Sequence, residues 1–595
     1  MSKKQIKDKV KKIFVEIFPE LRNRKFVFKK NQSDFKDWDS FNHMKIISTL
    51  EEKFGIVFDM TETMEADSPL KIIEMIEEKI LREGADKQFN INPVFRNISE
   101  ALTHWSLNAS NKIFIKDLST GSNYSYSIFN KLVNTGVRLL QKQGVRKGDF
   151  VLLQIRNSIE FLILYFASMR LGSVINPIPL SVGENELLAN MDFIKPKLSF
   201  LEKSYHNDAF KKYKVFRVEF KGKNALHKIL ETFSTDELNT QLEDDSPAVL
   251  YYSSGTTGKP KGILFSHRGI MNIIVLMCQG FNHNHESIHL GILPMAHTSV
   301  IHHSVLPVLY KGGTFIFSEN FIKIRKDFWH IIERYKINYV HTVPTVILMI
   351  LNTHYLNYSR KKIPLKYIAC GAAPLSETVK KSFEKKFMIR LANAYGLSEA
   401  GHLMSDYPFK SAWKRGSIGR PLESIDLKIF DDSGHEVAAG IVGEFAVKTP
   451  AFFMGYYKDE KLYQSSFKNG YFCTGDLGWH DDNGVFYYAG RKKDLIIKGG
   501  VNISPNFIDE TLIKHPKIAE AASVGKSDKF FGEVIKSFVV LKPGQEISKE
   551  EFFDYCKKKL GEFKSPSEIE FVDVIPKTFS GKILRRNLRQ NGEGV

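Results

Sequence analysis

Residues 252–262 read Tyr-Ser-Ser-Gly-Thr-Thr-Gly-Lys-Pro-Lys-Gly, and they follow the apolar run Ala248–Tyr251. This stretch contains three glycines, four serine or threonine hydroxyls and two lysines. Glycine lets backbone N–H groups approach a polyphosphate, hydroxyls donate hydrogen bonds, and lysine supplies positive charge. The spacing differs from that of a Walker A loop. The stretch predicts a phosphate-binding loop that follows a buried strand, because an ordinary polar turn would not need so many donors.

Length and composition predict a globular, multi-domain protein. The chain has 595 residues, 43% hydrophobic and 26% charged, which corresponds to about four domain-sized units. The longest apolar stretch, near residues 161–169, ends at Arg170 and is shorter than the ~20 residues of a membrane-spanning helix. We expect no signal peptide and no transmembrane segment. The four cysteines are far apart, so the sequence predicts neither a disulfide framework nor a zinc site. A reducing cytoplasm is the expected compartment.

The net charge of +18 would suit nucleotides, acyl phosphates, nucleic acids or anionic lipids. A lysine-rich surface is the simpler interpretation. The sequence contains no zinc finger, RNP-like motif or concentrated basic helix, so we expect no nucleic-acid partner.

The first 85 residues predict a small helical bundle. Apolar residues recur at helical spacing in 5–19, 40–54 and 69–82, with Phe41 and Met44 on the apolar stripe of the second helix. Residues 31–85 carry thirteen acidic and six basic side chains, which predicts an acidic face. The polar segment 84–93, with Gly84 and Pro93, is typical of a linker.

The rest of the chain has an α/β pattern. Short apolar runs alternate with helical patterns, as in parallel-sheet units; the runs are Phe150–Ile155, Ala248–Tyr252, Tyr339–Val343 and Tyr367–Cys370. A charged turn at 490–494 precedes a last unit that mixes strands, at Ala521–Val524 and Ser537–Leu541, with helices. We therefore predict a helical domain at 1–85, a linker at 86–97, a large α/β domain at 98–490 and a small α+β domain at 491–595.

The loop at 252–262 resembles the phosphate loop of the adenylate-forming superfamily, which contains acyl-CoA synthetases, carrier-protein adenylation domains and luciferases. Further motifs follow in the family's order, and the resemblance covers about residues 95–590. It implies an ATP or AMP site made of Ser253, Ser254, Gly255, Thr256, Thr257, Gly258, Lys261, Gly371, Ala372, Ala373, Asn393, Ala394, Tyr395, Gly396, Asp476 and Arg491.

The resemblance also implies roles for individual residues. Tyr395 would stack on adenine, Ser398 would touch the α-phosphate, and Glu399 would hold Mg²⁺. Ser398 stands where the family often has threonine and keeps the hydroxyl. Asp476 would accept hydrogen bonds from the ribose hydroxyls, with Arg491 nearby.

Two lysines complete the implied enzyme. Lys582, in Pro576–Lys582, resembles the C-terminal catalytic lysine, which would stabilise the negative charge of a carboxylate attacking an α-phosphate. Lys493 lies at the family's hinge position, although a solvated surface lysine is also plausible there. The products would be an acyl-adenylate and pyrophosphate.

The thiol acceptor is predicted from two segments. Lys498, Gly499 and Gly500 match the family segment that faces the pantetheine channel after the small domain rotates; a hairpin turn is the alternative. Residues 37–44 resemble the motif of acyl or peptidyl carrier proteins, which bear 4′-phosphopantetheine on serine, here Ser40. Phe41 replaces the usual leucine, and Asp39 is the predicted helix cap.

The substrate is predicted from residues 293–299. Amino-acid-activating relatives place an aspartate here for the α-ammonium group, but this chain has none and instead has His297 in the Pro-x-x-His pattern of acyl and aryl CoA ligases. We expect a fatty, short-chain or aryl acid without an α-amine. His297 lies near the carboxylate or has a structural role.

The leading hypothesis is an ATP-dependent acyl–carrier ligase that loads its own carrier or a partner's. It requires a phosphopantetheinyl transferase and supplies carrier-dependent biosynthetic enzymes. The main alternative is an acyl-CoA synthetase that uses free CoA, with the N-terminal unit as a docking module. A nucleotide-binding regulator and a luciferase-like monooxygenase are weaker alternatives, because every expected catalytic position is filled and a carrier-like unit is present.

Overall fold

The computed structural model describes residues 3–22, 26–54, 58, 60–76, 91–202, 208–238, 241–253, 261–356, 358–407, 414, 416–577 and 582–590. Contacts divide the chain into two units, Met1–Asn90 and Ile91–Val595. Part of the predicted linker and most of the phosphate loop lie outside the described residues. Within the described residues, no helix has both the length and the apolar character needed to cross a membrane.

The N-terminal unit is helical, as the apolar spacing predicts. Its described helices are Lys3–Ile17, Ser40–Phe54, Met60–Glu65 and 69–76, with single 3₁₀ turns at Pro19–Leu21 and Gln32–Asp34. Aromatic side chains fill the centre: the Phe14 ring lies 5.0 Å from Trp38 and 5.9 Å from Phe35, between ring centres. Such aromatic burial supplies much of the hydrophobic stabilisation of a small bundle.

One part of the predicted stripe is wrong. Phe41 and Met44 are 77% and 57% exposed, whereas Ile46, Ile47 and Leu50 are buried. At roughly 100° per residue, Phe41 and Met44 lie on a different side of the helix from these three residues, and that side faces solvent. The stripe that meets the core is therefore narrower than the apolar spacing predicted.

Within its described residues, the second unit contains three sheets. The first has seven strands, in the spatial order Gly455–Tyr456, Lys261–Ser266, Pro247–Ser253, Val174–Pro177, Phe150–Gln154, Leu198–Leu201 and Val215–Arg217. Its central strands are parallel, and the pair Pro247–Ser253 and Lys261–Ser266 is antiparallel. The predicted buried runs at 150 and 248 are both strands of this sheet.

The largest sheet carries the strand ends that form the site. Its order is Asp426–Phe430, Gly443–Lys448, Tyr471–His480, Phe486–Arg491, Ser417–Pro421, Gly401–Ser405, Arg390–Leu397, Tyr367–Gly371, Tyr339–Thr342, Ile288–Gly291, Thr314–Phe317, Ile113–Asp117 and Asn123–Ser125, with Phe467–Lys468 paired to Tyr471–His480. The strands from Arg390–Leu397 to Ile113–Asp117 are parallel. Parallel strands place their carboxyl ends at one edge, where ligands bind in α/β folds.

Helices pack on these sheets. Their bounds are Ile98–Asn108, Tyr126–Lys142, Ile159–Leu171, Glu184–Ile194, Leu226–Leu230, His267–Gly280, Thr298–Val300, Leu306–Lys311, Phe321–Ile324, Phe328–Arg334, Pro344–Leu351, Glu377–Phe387 and Glu460–Ser465. A π-helical turn, Ile301–Val305, joins two of them.

The C-terminal part has its own sheet and core, as predicted. The order is Val501–Ile503, Ile496–Lys498, Gly532–Leu541 and Ile518–Asp528, with Glu568–Phe571 also paired to Gly532–Leu541. The helices Pro505–Ile513, Lys549–Lys564 and Arg585–Gln590 accompany it.

Candidate active site

The predicted phosphate loop joins two antiparallel strands, whose last described partners are Ser253 and Lys261. The predicted contacts Ser254, Gly255, Thr256, Thr257 and Gly258 lie outside the described residues, as does the Ser253 side chain. At the base of the loop, the Lys261 ammonium lies 5.3 Å from the centre of the Tyr456 ring. The strand pairing therefore places the positively charged Lys261 at the base of the loop.

A cavity of about 380 Å³ lies at the carboxyl ends of the large sheet. It brings together residues from five predicted motifs, the first and last of which are more than 200 positions apart in the sequence: Ala372, Ala373, Asn393, Ala394, Tyr395, Gly396, Asp476, Arg491 and Lys582. This volume is in the range of small-molecule sites.

Close strand packing shapes one wall of the cavity. Gly371 is the Cα partner of Ala394, and a Cβ atom on Gly371 would lie 2.2 Å from the Ala394 carbonyl oxygen. The next residue, Ala372, has a φ of 64°, a left-handed conformation that is uncommon outside glycine. The chain thus turns sharply after the strand, and Ala372 and Ala373 line the cavity.

Asp476 is held by two neighbours. The Tyr395 hydroxyl donates a hydrogen bond to Asp476 Oδ2 at 2.7 Å, and Arg491 Nε lies 2.6 Å from Oδ1. The hairpin register sets this pairing, because Asp476 and Arg491 are cross-strand partners. Burial raises the pKa of Asp476, and Arg491 opposes that rise. The site therefore contains a carboxylate that is 2% exposed and paired with an arginine.

Lys582 lines the same cavity. Burial, followed by repulsion from Arg491, lowers the pKa of Lys582 to about 8. Burial also lowers the pKa of Lys493, which faces Asp494 and Arg491. Clustered cations in a partly buried site indicate an anionic ligand.

This lowered pKa predicts a pH dependence. Protonated Lys582 carries the charge that a polyanionic ligand needs, so its fraction falls as the pH rises through about 8. We expect kcat/KM for ATP in pyrophosphate exchange to decline above that pH, since this parameter reports the free enzyme. The decline in Lys582→Arg should move to higher pH, because guanidinium remains charged. If kcat/KM of Lys582→Arg declined over the same pH range as that of the unmodified protein, the decline would have to come from the titration of another group.

Glu399 lies beside this cation group. The Tyr456 hydroxyl donates to Glu399 Oε1 at 3.0 Å, burial raises the pKa of Glu399, and the charges of Arg491 and Lys261 lower it. Ser398 is half-buried next to it. The described residues hold no cluster of three or more histidine, cysteine or acidic side chains for a metal. A single buried carboxylate fits Mg²⁺, which is commonly bound by one or two carboxylates together with substrate phosphates.

His297 lies outside the lining of the cavity described above. Its Nδ1 accepts a hydrogen bond from the Ser299 backbone N–H at 3.2 Å and lies 3.0 Å from the Ser299 hydroxyl. It thereby caps the short helix Thr298–Val300. Burial lowers the pKa of His297, which favours a neutral imidazole. His297 therefore has at least a structural role, which the sequence analysis gave as the alternative to a position near the carboxylate.

Lys498, Gly499 and Gly500 form the end of a hairpin and do not line the cavity. The two glycines have φ values of 55° and 79° and join Ile496–Lys498 to Val501–Ile503. The Lys498 ammonium donates to the Phe563 carbonyl oxygen at 2.8 Å. The hairpin turn, which the sequence offered as the alternative, is therefore present. A role of these residues in a pantetheine channel stays a prediction.

Ser40 begins its helix and is exposed. The Asp39 carboxylate accepts a hydrogen bond from the Asn42 N–H at 2.8 Å, which confirms the predicted cap. Behind the serine, the Trp38 indole N–H donates to His43 Nδ1 at 3.0 Å, and His43 Nε2 lies 2.7 Å from the Thr63 carbonyl oxygen. The loop before Ser40 is thus anchored, while its hydroxyl faces solvent.

Sequence reasoning missed the aromatic wall of the cavity. Trp479 and Tyr487 stack with ring centres 3.9 Å apart, and Tyr488 also lines the cavity. Trp479 and Tyr487 are cross-strand partners on the hairpin that carries Asp476 and Arg491. Once that hairpin register is known, their proximity follows, but the register itself was not read from the sequence.

Comparison with known families supports the same interpretation. The family described as AMP-binding enzyme matches residues 102–457. The chain belongs to this family. The AMP-binding enzyme C-terminal domain matches residues 508–582, so both parts of the adenylate-forming architecture are present. An AMP-forming acid–thiol ligase that activates a carboxylic acid as an adenylate is therefore established at the level of the family.

Individual relatives agree. The crotonobetaine/carnitine–CoA ligase of Proteus mirabilis is 28% identical over 492 residues, 78% of this chain and 93% of that protein. The sulfoacetate–CoA ligase of Cupriavidus necator is 30% identical over 460 residues, covering 75% and 88%. The crystal structure of ATP-bound MatB from Rhodopseudomonas palustris superposes with a TM-score of 0.77 at 25% identity, covering 84% of this chain and 99% of that one. These matches extend over nearly the whole length of each relative.

Proposed function

We propose that this AMP-binding enzyme activates a fatty, short-chain or aryl acid at the cavity and then transfers the acyl group to a phosphopantetheine thiol. The carboxylate attacks the α-phosphorus of ATP; the bond to pyrophosphate breaks and an acyl-adenylate forms. The observation that carries the proposal is the convergence of Tyr395, Asp476, Arg491 and Lys582 on one cavity.

The nucleotide site follows from these contacts. Tyr395 lines the cavity and stacks on adenine. Asp476, held by Arg491 at 2.6 Å, accepts hydrogen bonds from the ribose hydroxyls. The loop residues Ser253–Gly258, with Lys261, bind the phosphates, and Gly371–Ala373, Asn393, Ala394 and Gly396 form the remaining wall.

Charge stabilisation drives the chemical step. Negative charge builds up between the carboxylate and the α-phosphate, and Lys582 bridges the two while Ser398 donates to the phosphate. Glu399 would hold Mg²⁺, which supplies further neutralisation of the phosphates when it is bound. No general base is needed, because a carboxylic acid is ionised near neutral pH. Lys493 acts as the hinge at which the small domain turns for the second step.

The acceptor is proposed to be 4′-phosphopantetheine on Ser40, in this chain or in a partner. The exposed serine at a capped helix start and the acidic composition of residues 31–85 support a carrier that phosphopantetheinyl transferase and downstream biosynthetic enzymes recognise. After rotation of the small domain, Lys498, Gly499 and Gly500 would border the pantetheine arm. The hairpin glycines leave room for a narrow chain.

Free CoA is the second candidate acceptor. It is favoured by the relatives, several of which are named CoA ligases. In that case the N-terminal unit is a docking module and Ser40 is never modified.

The acceptor is decided by the intact mass of the full chain. The protein is treated with CoA and a phosphopantetheinyl transferase, then with ATP, Mg²⁺ and a panel of carboxylic acids. We expect a phosphopantetheine gain that is absent in Ser40→Ala, because Ser40 is the serine of the carrier-like motif, followed by an acyl gain. The exposed Ser48→Ala variant, in the same helix, serves as the control and should be modified normally. An unmodified Ser40 with acyl-CoA in solution would favour the CoA synthetase.

A further inference from the structure

Three buried histidines form a group close to the cavity. The His303 ring stacks on His341 with centres 4.1 Å apart and meets His402 edge-on at 5.5 Å. His341 and His402 are 5% and 2% exposed, and His303 is half-buried. Three imidazoles, of which His303 contacts both of the others, are an unusual way to fill an apolar interior, since each one brings polar nitrogens out of water.

These nitrogens have few partners. His303 Nδ1, His341 Nδ1 and both ring nitrogens of His402 are buried without a hydrogen-bond partner among the described residues. The adjacent His302 differs, because its Nε2 lies 3.3 Å from the Tyr251 hydroxyl, which in turn lies 3.0 Å from the Tyr165 hydroxyl. Leaving buried polar groups unpaired is costly, so the unpaired set indicates a partner that the protein itself does not supply.

The group lies next to the proposed acyl-adenylate site. His402 is the Cα partner of Gly396, which lines the cavity. His341 is the Cα partner of Ala369, on the strand that continues into the cavity wall at Ala372. His303 lies in the π-helical turn Ile301–Val305, and such turns often occur at functional sites. His402 is therefore one cross-strand position from the cavity wall, and His303 connects it to His341 through ring contacts.

The imidazoles of this group are neutral, and each can both donate and accept a hydrogen bond. Burial lowers the pKa values of His341 and His402 to about 3, so neither ring is charged near neutral pH. A neutral imidazole has one donor and one acceptor nitrogen. Within the described residues, no group of three or more histidine, cysteine or acidic side chains is arranged to hold a metal ion.

We propose that His303, His341 and His402 bind a hydrogen-bonding substituent of the carboxylic acid. The substrate then carries a hydroxyl, carbonyl or second carboxylate group besides the carboxylate that is activated, and an unsubstituted alkyl or aryl acid is a poor substrate. This inference rests on the proposed adenylation and narrows its substrate class.

The test is ATP–pyrophosphate exchange by the full chain with matched acids. The sets are butanoate with 3-hydroxybutanoate, 3-oxobutanoate and butanedioate; hexanoate with hexanedioate; and benzoate with its hydroxy derivatives. Within the set that reacts best, we expect a substituted acid to exceed its unsubstituted partner at least tenfold in kcat/KM. Comparison of kcat/KM among the substituted acids of that set then shows whether the preferred substituent is a hydroxyl, a carbonyl or a carboxylate.

Variants assign the preference to the histidines. His402→Phe and His341→Phe keep a ring of similar shape and remove the nitrogens, so each should lower kcat/KM for the substituted acid at least fivefold more than kcat/KM for the unsubstituted acid. His289→Phe removes another buried imidazole, whose ring lies 4.4 Å from Tyr339, and should keep the preference. Urea unfolding of each variant separates misfolding from a change in selectivity.

The outcomes are distinct. Equal or faster exchange with unsubstituted acids by the unmodified protein would overturn the inference and leave the proposed function standing. The inference would also be overturned, and the proposed function left standing, if His402→Phe and His341→Phe both fold and keep the preference for the substituted acid. Absence of exchange with every acid would instead overturn the proposed adenylation, and the inference with it.

Discussion

Replacing Lys582 with alanine is expected to lower the rate of acyl-adenylate formation by roughly a hundredfold to a thousandfold. The lysine is partly buried and lines the cavity with Arg491 and Asp476, where a dielectric lower than that of water strengthens its attraction to the developing charge. Pyrophosphate exchange measures this half-reaction. Transfer from a supplied acyl-adenylate to the thiol should change little, since we propose that the small domain turns before that step and takes Lys582 away from the reacting atoms.

Lys577→Ala is the matched control, since it removes a lysine of the same segment. The Lys577 ammonium lies 2.5 Å from Glu520 Oε1, a pair confined to the small domain. Exchange should stay within about twofold of the unmodified protein, because half-exposed ion pairs contribute little. Equal losses in both variants would mean that Lys582 acts through the fold of this segment and not through charge at the reacting atoms.

Replacing Asp476 with alanine is expected to produce the second large effect, on both nucleotide binding and stability. The change leaves the Arg491 side chain, which is 28% exposed, without its buried carboxylate partner, and breaking this partly buried pair should cost less than the ~3–5 kcal/mol of a fully buried pair. The ribose hydroxyls also lose their acceptor, so KM for ATP should rise at least tenfold. Thermal unfolding with and without ATP, together with exchange kinetics, measures the two effects.

Asp476→Asn separates the two contributions. The amide oxygen still accepts a hydrogen bond, so stability should recover partly, while binding of the ribose stays weak. Asp192→Ala removes an exposed carboxylate 2.5 Å from the Lys212 ammonium and should change the free energy of unfolding by less than about 1 kcal/mol. A normal KM for ATP in a folded Asp476→Ala protein would contradict the assigned ribose contact.

The order of helices and strands was largely accessible from the sequence. The apolar runs at 150, 248, 339 and 367 are strands, because a parallel sheet buried on both faces needs continuous apolar segments. The small C-terminal sheet was also predicted. Phe41 and Met44 were misplaced, since they lie on a side of the helix that faces solvent, and apolar spacing alone does not show how wide the buried stripe is.

The candidate site was predicted in part. Motif order was sufficient to assign Tyr395, Asp476, Arg491 and Lys582 to one site, and the cavity brings all four together. The stack of Trp479 on Tyr487 was missed, because it depends on which residues face each other across a hairpin. The group of His303, His341 and His402 was missed for the same reason: these residues come from a helical turn and two separate strands.

The sequence by itself determined the family, the ATP-dependent activation of an acid and the residues of the nucleotide motifs. These depend on short local patterns, such as the glycine-rich loop at 252–262, whose chemistry can be read without knowing their surroundings. The tertiary structure decided which side chains are buried, paired or left without partners. Burial lowers the pKa of Lys582, and strand register sets the Asp476–Arg491 pair. Both result from contacts between distant segments, and local sequence carries no information about such contacts.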